Sequence, residues 1–78
     1  MKNMNKEIIN DQEFDLICKY LKIRYESNIS QRELASRIGI AQSTIARMEK
    51  NMHSMSIGNF TKLLDALGYK LEILKKEE

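Results

Sequence analysis

The sequence predicts one small all-α domain of four helices, followed by a short C-terminal β-strand. A chain of 78 residues has room for a single hydrophobic core. It contains no proline and only three glycines, and its apolar residues recur mostly at helical spacing. No apolar stretch approaches the roughly 18 residues of a membrane span, and the polar start is unlike a secretory signal, so we expect a cytoplasmic protein.

The first helix is predicted over residues 12–26, after an N-terminal extension formed by residues 1–10. Asn10 and Asp11 are side chains that cap helix N-termini. Phe14, Ile17 and Leu21 then follow at helical spacing and belong to a broad apolar stripe.

The next two helices are short and closely spaced. Ser30 and Glu33 form a capping box, in which each side chain accepts a hydrogen bond from the other residue's amide, so the second helix begins at residue 31. It ends near residue 38 because Gly39 tolerates a left-handed backbone. A third helix is predicted over residues 42–50, with Asn51 as its left-handed stop.

The fourth helix is predicted over residues 57–67, between a Ser56 cap and a closing Gly68, which completes a domain of residues 11–68. In the tail, residues 69–78, apolar side chains alternate with Lys70 and Glu72, as in a strand. A lone strand leaves its backbone groups unpaired, and the other strand candidate within the chain, residues 7–9, is short, so we expect a homodimer in which the tails pair. The contact residues would be Tyr69, Leu71 and Ile73. A disordered tail is the alternative.

Residues 31–50 carry a spacing typical of two short helices that cross at about 90–120° through a tight turn. The facing sides of such helices need apolar residues, their close approach a small residue, and the turn a glycine. The positions that meet these needs are Leu34, Ala35, Ile38, Gly39, Ile40, Ile45 and Met48. The same region holds the chain's positive excess: residues 28–55 contain four basic side chains against two acidic ones, while the flanking regions are balanced.

This window resembles the helix-turn-helix of the phage repressor and Cro family, also called the XRE-type regulators. The residues that carry the resemblance are Ser30 to Ile40 and Ser43 to Glu49, within a similarity over residues 17–68. The resemblance implies a lambda repressor-like bundle of four to five helices whose third helix enters the DNA major groove. The sequence departs from the family at Ala41, where a missing Ser or Thr cap should weaken the helix start by about 1 kcal/mol.

The outward side of the third helix has the chemistry for contact with DNA. The predicted base contacts are Gln42, Ser43, Ala46 and Arg47. Arg47 has the donors for a bidentate guanine contact or for a phosphate. Gln31 is predicted to bind a phosphate, and the resemblance implies that it also steadies Gln42. The other predicted backbone contacts are Arg32, Thr44, Lys50, Asn51 and His53.

Arg24 and Glu49 fall in otherwise apolar faces. The resemblance implies that they form a partly buried ion pair linking the first helix to the end of the third. Removing one partner of such a pair leaves an uncompensated charge, at a cost of roughly 3–5 kcal/mol.

The composition excludes most other classes of site. One cysteine, Cys18, and one histidine, His53, provide neither a disulfide nor a structural zinc site. Cys18 is expected to be a small buried residue. The chain has no nucleophile and base constellation and no glycine-rich phosphate loop, so we expect neither catalysis nor a metal or other cofactor.

The sequence therefore favours a dimeric, sequence-specific transcriptional repressor that binds double-stranded DNA at a palindromic operator. A second interpretation is an antitoxin that binds a small toxin protein and regulates its own operon, because the short chain and its tail are similar to antitoxins of the HigA type. Independently of these two interpretations, residues 1–10 are either an unfolded lead-in or an arm that wraps DNA or a partner.

Overall fold

The computed structural model describes residues 10–77, which form four α-helices. In chain order they are α1 (Asp11–Glu26), α2 (Gln31–Ile38), α3 (Gln42–Lys50) and α4 (Ile57–Ala66), with a one-turn 3₁₀ helix (Met52–Ser54) between α3 and α4. The predicted all-α class is confirmed, as are the predicted helices to within one residue at each end. None of the helices in this part of the chain is long and apolar enough to cross a membrane.

Side-chain caps begin three of the four helices. The side chain of Asn10 accepts a hydrogen bond from the Glu13 amide at 2.7 Å, and Ser56 caps α4 in the same way. Ser30 Oγ accepts from the Glu33 amide at 3.0 Å, which is half of the predicted capping box. The Glu33 carboxylate does not complete the box, because it accepts a hydrogen bond from Arg37 at 3.0 Å instead.

Glycines lie at the C-terminal ends of two helices, α2 and α4. Gly39 has a φ of +84° and Gly68 a φ of +89°, the left-handed backbone that glycine adopts without steric strain. The predicted left-handed stop at Asn51 is wrong: its φ is −123°. The chain does not reverse there but continues into the 3₁₀ turn. A left-handed residue that was not predicted, Asn28, lies after α1 with a φ of 58°.

The core lies where α2, α3 and α4 meet and is closed by α1 and the 3₁₀ turn. Leu34 from α2, Ile45 from α3 and Leu63 from α4 are fully buried. The other members of the buried cluster are Tyr20, Ala35, Met52, Leu64 and Leu67. Because Ile45 anchors α3 to this cluster, the opposite side of α3 faces outward.

The predicted C-terminal strand is not supported. Within residues 10–77 the structure contains no strand, and residues 69–77 lack regular secondary structure. A strand requires a neighbouring backbone for its hydrogen bonds, and the described part of the chain offers none. The strand candidate at residues 7–9 lies outside the described residues. So does the predicted extension or arm of residues 1–10, except for Asn10, which caps α1.

Candidate nucleic-acid interface

The α3 helix presents a polar side to the surface. Gln42, Ser43 and Arg47, three of the predicted base contacts, are exposed, and Ala46 is half-buried. Lys50 is also exposed, whereas Thr44 is half-buried. Since Ile45 is fully buried on the other side, rotation of α3 is constrained by the core. The outward groups are an amide, a hydroxyl, a methyl and a guanidinium, which suit the edges of bases in a major groove.

The beginning of α2 lies beside this surface. Arg32 is exposed, and the first amides of α2 carry the partial positive charge of a helix N-terminus. Gln31 is half-buried, and its Nε2 donates a hydrogen bond to Glu49 Oε1 at 3.0 Å. The resemblance implied that Gln31 steadies Gln42, so the observed partner is a different residue of α3.

The residues after α3 complete the polar surface. Asn51 is exposed, and its side chain donates a long hydrogen bond of 3.4 Å to the Arg47 carbonyl oxygen, near the end of α3. His53 is exposed in the 3₁₀ turn. Both side chains are accessible to solvent.

Ion pairing compensates both negative charges of residues 28–55 and leaves three of the cations in this region without an ion-pair partner among the described residues. Both acidic residues of residues 28–55 are bound by arginines: Glu33 by Arg37 at 3.0 Å and Glu49 by Arg24. Three basic side chains, Arg32, Arg47 and Lys50, have no ion-pair partner among the described residues. A surface with this balance attracts phosphate groups.

A buried polar cluster lies behind α3 and is centred on Glu49. The structure brings Arg24 and Glu49 together, with Arg24 Nε 2.6 Å from Glu49 Oε2 and both side chains only 8% exposed. This short contact is an ion pair without the alignment of a hydrogen bond, which Arg24 Nη2 makes instead to Oε1 at 2.9 Å. Arg24 Nη1 also donates to the Ile29 carbonyl oxygen at 3.1 Å, so the pair joins α1, the loop after it and α3.

Tyr20 completes this cluster and was not singled out from the sequence as a polar group. It is fully buried, and its hydroxyl donates a 2.7 Å hydrogen bond to Glu49 Oε2. Burial raises the pKa of the Tyr20 phenol far above its usual range, and the neighbouring Glu49 carboxylate raises it further. One signal was available: Tyr20 lies four residues before Arg24, on the same side of α1.

Arg37 was also missed as a structural residue. Its Nη1 donates a hydrogen bond to the Ala66 carbonyl oxygen at 3.0 Å, so it links α2 to the last turn of α4. Carbonyl groups at a helix C-terminus lack partners within the helix. A guanidinium there donates a hydrogen bond to one of them and interacts favourably with the negative end of the helix dipole.

The remaining observations concern the burial of Cys18 and side chains that could hold a metal ion. Cys18 is exposed, so the expectation that it is buried is wrong: it lies on the side of α1 that does not contact the core. The part of the chain that the structure describes contains no group of three or more His, Cys, Asp or Glu side chains placed to hold a metal ion.

Comparison with known proteins agrees with this geometry. The model of the helix-turn-helix family matches residues 19–74. The chain is 40% identical to the antitoxin HipB of Escherichia coli O6:H1 over 45 residues, which cover 58% of this chain and 48% of that protein. It therefore spans about half the length of that relative. A solved structure described as a toxin-antitoxin module from Streptococcus pneumoniae superimposes with a TM-score of 0.64 at 31% identity, over 86% of this chain and 74% of the other. The chain belongs to the helix-turn-helix family of DNA-binding domains, of the repressor and Cro (XRE) type.

Proposed function

We propose that this protein is a transcriptional repressor that binds a specific double-stranded DNA sequence through α3. The observation that carries the proposal is the outward side of α3, where Gln42, Ser43 and Arg47 are exposed while Ile45 holds the helix to the core. Side chains on a rigid helix are positioned well enough to discriminate between bases.

The individual roles follow from chemistry. Gln42 and Ser43, in the first turn of α3, would contact base edges, and a glutamine amide matches the N6 and N7 groups of adenine. Ala46 would place its methyl against a thymine methyl. Arg47 would bind a guanine or a phosphate. The proposed contacts to the DNA backbone are Gln31, Arg32, Thr44, Lys50, Asn51 and His53.

Selection of bound duplexes from a random library tests the function directly. We expect a defined consensus, bound more tightly than random duplex in a titration at one fixed salt concentration. Equal affinity for both duplexes would contradict sequence specificity, and no binding at low salt would contradict DNA binding altogether.

The Arg47→Ala variant then separates its two candidate roles. If Arg47 contacts a base, the variant should lose about 1–3 kcal/mol of binding free energy and relax the consensus at one position. If it contacts phosphate, the loss should be uniform across sequences, and the salt dependence should fall by about one unit of slope. Lys19→Ala is the matched control, because Lys19 is an exposed cation on α1 that bonds to Asp15. Equal losses in the two variants would contradict any specific role for Arg47.

We further propose that the protein acts as a homodimer on a palindromic operator. Two recognition helices about 34 Å apart contact successive major grooves on one side of the duplex. The tail side chains Tyr69, Leu71 and Ile73 are exposed and are the proposed contact between protomers. Exposed apolar side chains this close together favour association because it removes their surface from water.

A second function, as the antitoxin of a toxin-antitoxin pair, is supported by the two similar proteins. It is compatible with DNA binding, since such a protein would repress its own operon and bind a small toxin. The discriminating observation is a neighbouring reading frame whose product arrests growth when expressed alone. Co-expression with this protein should restore growth, and the two should co-purify. If the product of the neighbouring frame does not bind this protein, the antitoxin function is contradicted and only the repressor function stands.

A further inference from the structure

The α3 helix is held unequally at its two ends. At its start, Ala41 provides no side-chain cap, and its carbonyl oxygen accepts a hydrogen bond from the Thr44 amide at 3.0 Å and a long one from the Ile45 amide at 3.4 Å. At its end, the Glu49 carboxylate is contacted by Tyr20, Arg24 and Gln31. The orientation of α3 therefore depends on the core beneath it and on this carboxylate.

Glu49 is not explained by the stability of α3 alone. A negative charge near a helix C-terminus is disfavoured by the helix dipole, and burial of a carboxylate requires full compensation. Glu49 is nevertheless 8% exposed in the second-last position of α3. Since buried ion pairs contribute little net stability, the better account of this group is that it orients one helix relative to others.

The three partners of Glu49 contribute differently. Arg24 supplies the opposite charge and reaches both carboxylate oxygens. Tyr20, from α1, donates only to Oε2 at 2.7 Å, and Gln31, from α2, donates only to Oε1 at 3.0 Å. These two neutral donors come from different helices and bind different oxygens. Together with Arg24 they hold both oxygens of the carboxylate and, through them, the end of α3.

We propose that Tyr20 and Gln31 are positioning residues for DNA recognition, which act through Glu49 by holding α3 in the orientation that contacts bases. The inference rests on the proposed function of sequence-specific DNA binding. Loss of either donor leaves the domain folded but lowers the fraction of molecules with α3 in the competent orientation. Apparent affinity for the preferred sequence falls in proportion to that fraction. Binding to random duplex, which depends mainly on phosphate charge, falls less.

The test is the ratio of two affinities, for the selected duplex and for random duplex, measured at the same salt concentration. Partial unfolding reduces both affinities by the same factor, so the ratio does not respond to a merely structural defect. For Tyr20→Phe, which removes only the hydroxyl, we expect the ratio to fall roughly threefold to tenfold, because only part of the energy of this hydrogen bond distinguishes the competent orientation of α3 from the others. The slope of affinity against salt should be unchanged.

Tyr25→Phe is the matched control. Tyr25 lies on the same helix with its ring 4.9 Å from the Arg24 guanidinium, but it is 68% exposed, and its hydroxyl does not bond to Glu49. The same chemical change there should leave the ratio at the wild-type value. A fall in the ratio equal to that of Tyr20→Phe would overturn the proposal.

Gln31→Ala provides a second variant that does not disturb the core, because Gln31 is half-buried at the start of α2. A positioning role lowers the ratio in this variant as well. If Gln31 acted only through a phosphate, both affinities would fall together, the ratio would keep its wild-type value, and the salt slope would not change because glutamine carries no charge.

The outcomes distinguish the two levels of proposal. A wild-type protein that discriminates between duplexes, with the same ratio in Tyr20→Phe and Gln31→Ala, would overturn the positioning role and leave the proposed function intact. A wild-type ratio of one would overturn the proposed function and this inference with it.

Discussion

Glu49 carries an ionised group in the interior of a domain whose buried core is small. The free energy of unfolding of such a domain is about 5–15 kcal/mol, so leaving one buried charge uncompensated removes a large fraction of it. The Arg24 guanidinium compensates the charge, and the Tyr20 hydroxyl and Gln31 amide satisfy the remaining acceptor capacity. Removing one partner is therefore far more damaging than the modest net contribution of the pair would suggest.

We expect Arg24→Met to lower the free energy of unfolding by about 3–5 kcal/mol, because it leaves the Glu49 carboxylate buried without a counter-charge. Denaturant titration followed by circular dichroism measures the loss. Lys19→Met is the control on the same helix, since the pair of Lys19 with Asp15 is more than half exposed, and its loss should change stability by less than about 0.5 kcal/mol. Similar losses in the two variants would contradict the proposed role of burial.

Tyr20 makes stability depend on pH in alkaline solution. Because burial raises the pKa of its phenol, the folded protein retains a proton that the unfolded chain releases above pH about 10. The contribution of this group is fully present below that pH and is lost as the pH rises further. The slope should reach about 1.4 kcal/mol per pH unit.

Comparison of the wild type with Tyr20→Phe isolates this contribution from other groups that titrate in alkali. We expect the wild type to lose stability more steeply than the variant above pH about 10, in denaturant titrations at a series of pH values. Parallel slopes would show that Tyr20 ionises equally in the folded and unfolded states.

At the scale of the element, the helices differ in how they begin. Asn10, Ser30 and Ser56 each accept a hydrogen bond from an amide in the first turn of α1, α2 and α4. The helix proposed to contact DNA is the exception, because Ala41 has no side chain that can accept. Its backbone already has the extended conformation of a cap, with φ −74° and ψ 146°.

The Ala41→Ser variant should therefore be more stable than the wild type. The new hydroxyl would accept from an amide in the first turn of α3, and such caps contribute about 1 kcal/mol. Thermal unfolding should show the gain as a higher Tm. Ser30→Ala, which removes a cap that is present, should lower stability by a similar amount. An unchanged Tm in Ala41→Ser would show that the start of α3 is limited by something other than its cap.

At the scale of the whole molecule, the surface is uneven. Arg32, Arg47 and Lys50, three cations without an ion-pair partner among the described residues, belong to α2 and α3. The tail carries exposed apolar side chains, of which Ile73 is 95% exposed. Free cations suit a phosphate-bearing partner, and exposed apolar side chains suit a protein partner. DNA is the proposed partner of the first and a second protomer that of the second.

Substitution in the tail should therefore change the oligomeric state without unfolding the domain. We expect the wild type to sediment as a dimer at micromolar concentration and Ile73→Glu to sediment as a monomer, because the charge disfavours burial of this position. Lys70→Glu, an exposed charge in the same segment, should remain dimeric. A wild type that is monomeric at all concentrations would contradict the proposed tail contact.

The sequence by itself determined the helices of this protein, because helix formation depends on local chemistry: caps at Asn10, Ser30 and Ser56, a left-handed glycine at Gly39, and apolar spacing. It also indicated the helix-turn-helix and the outward side of α3, since a 3.6-residue period separates the two sides of a helix. Features that depend on a distant partner were not determined in this way. The tail pattern predicted a strand, but pairing needs a second backbone. The predictions for Cys18 and Asn51 rested on residue type alone and were wrong: Cys18 is exposed, and the backbone of Asn51 is not left-handed.

Only the tertiary structure decided which neutral groups join Arg24 around Glu49. Residues 20, 31 and 49 are separated by many positions in the chain, and no local spacing relates a tyrosine on α1 and a glutamine on α2 to one carboxylate on α3. Their meeting results from the packing of three helices around the core. It is this long-range geometry, rather than the composition of α3, that orients the polar side proposed to contact DNA.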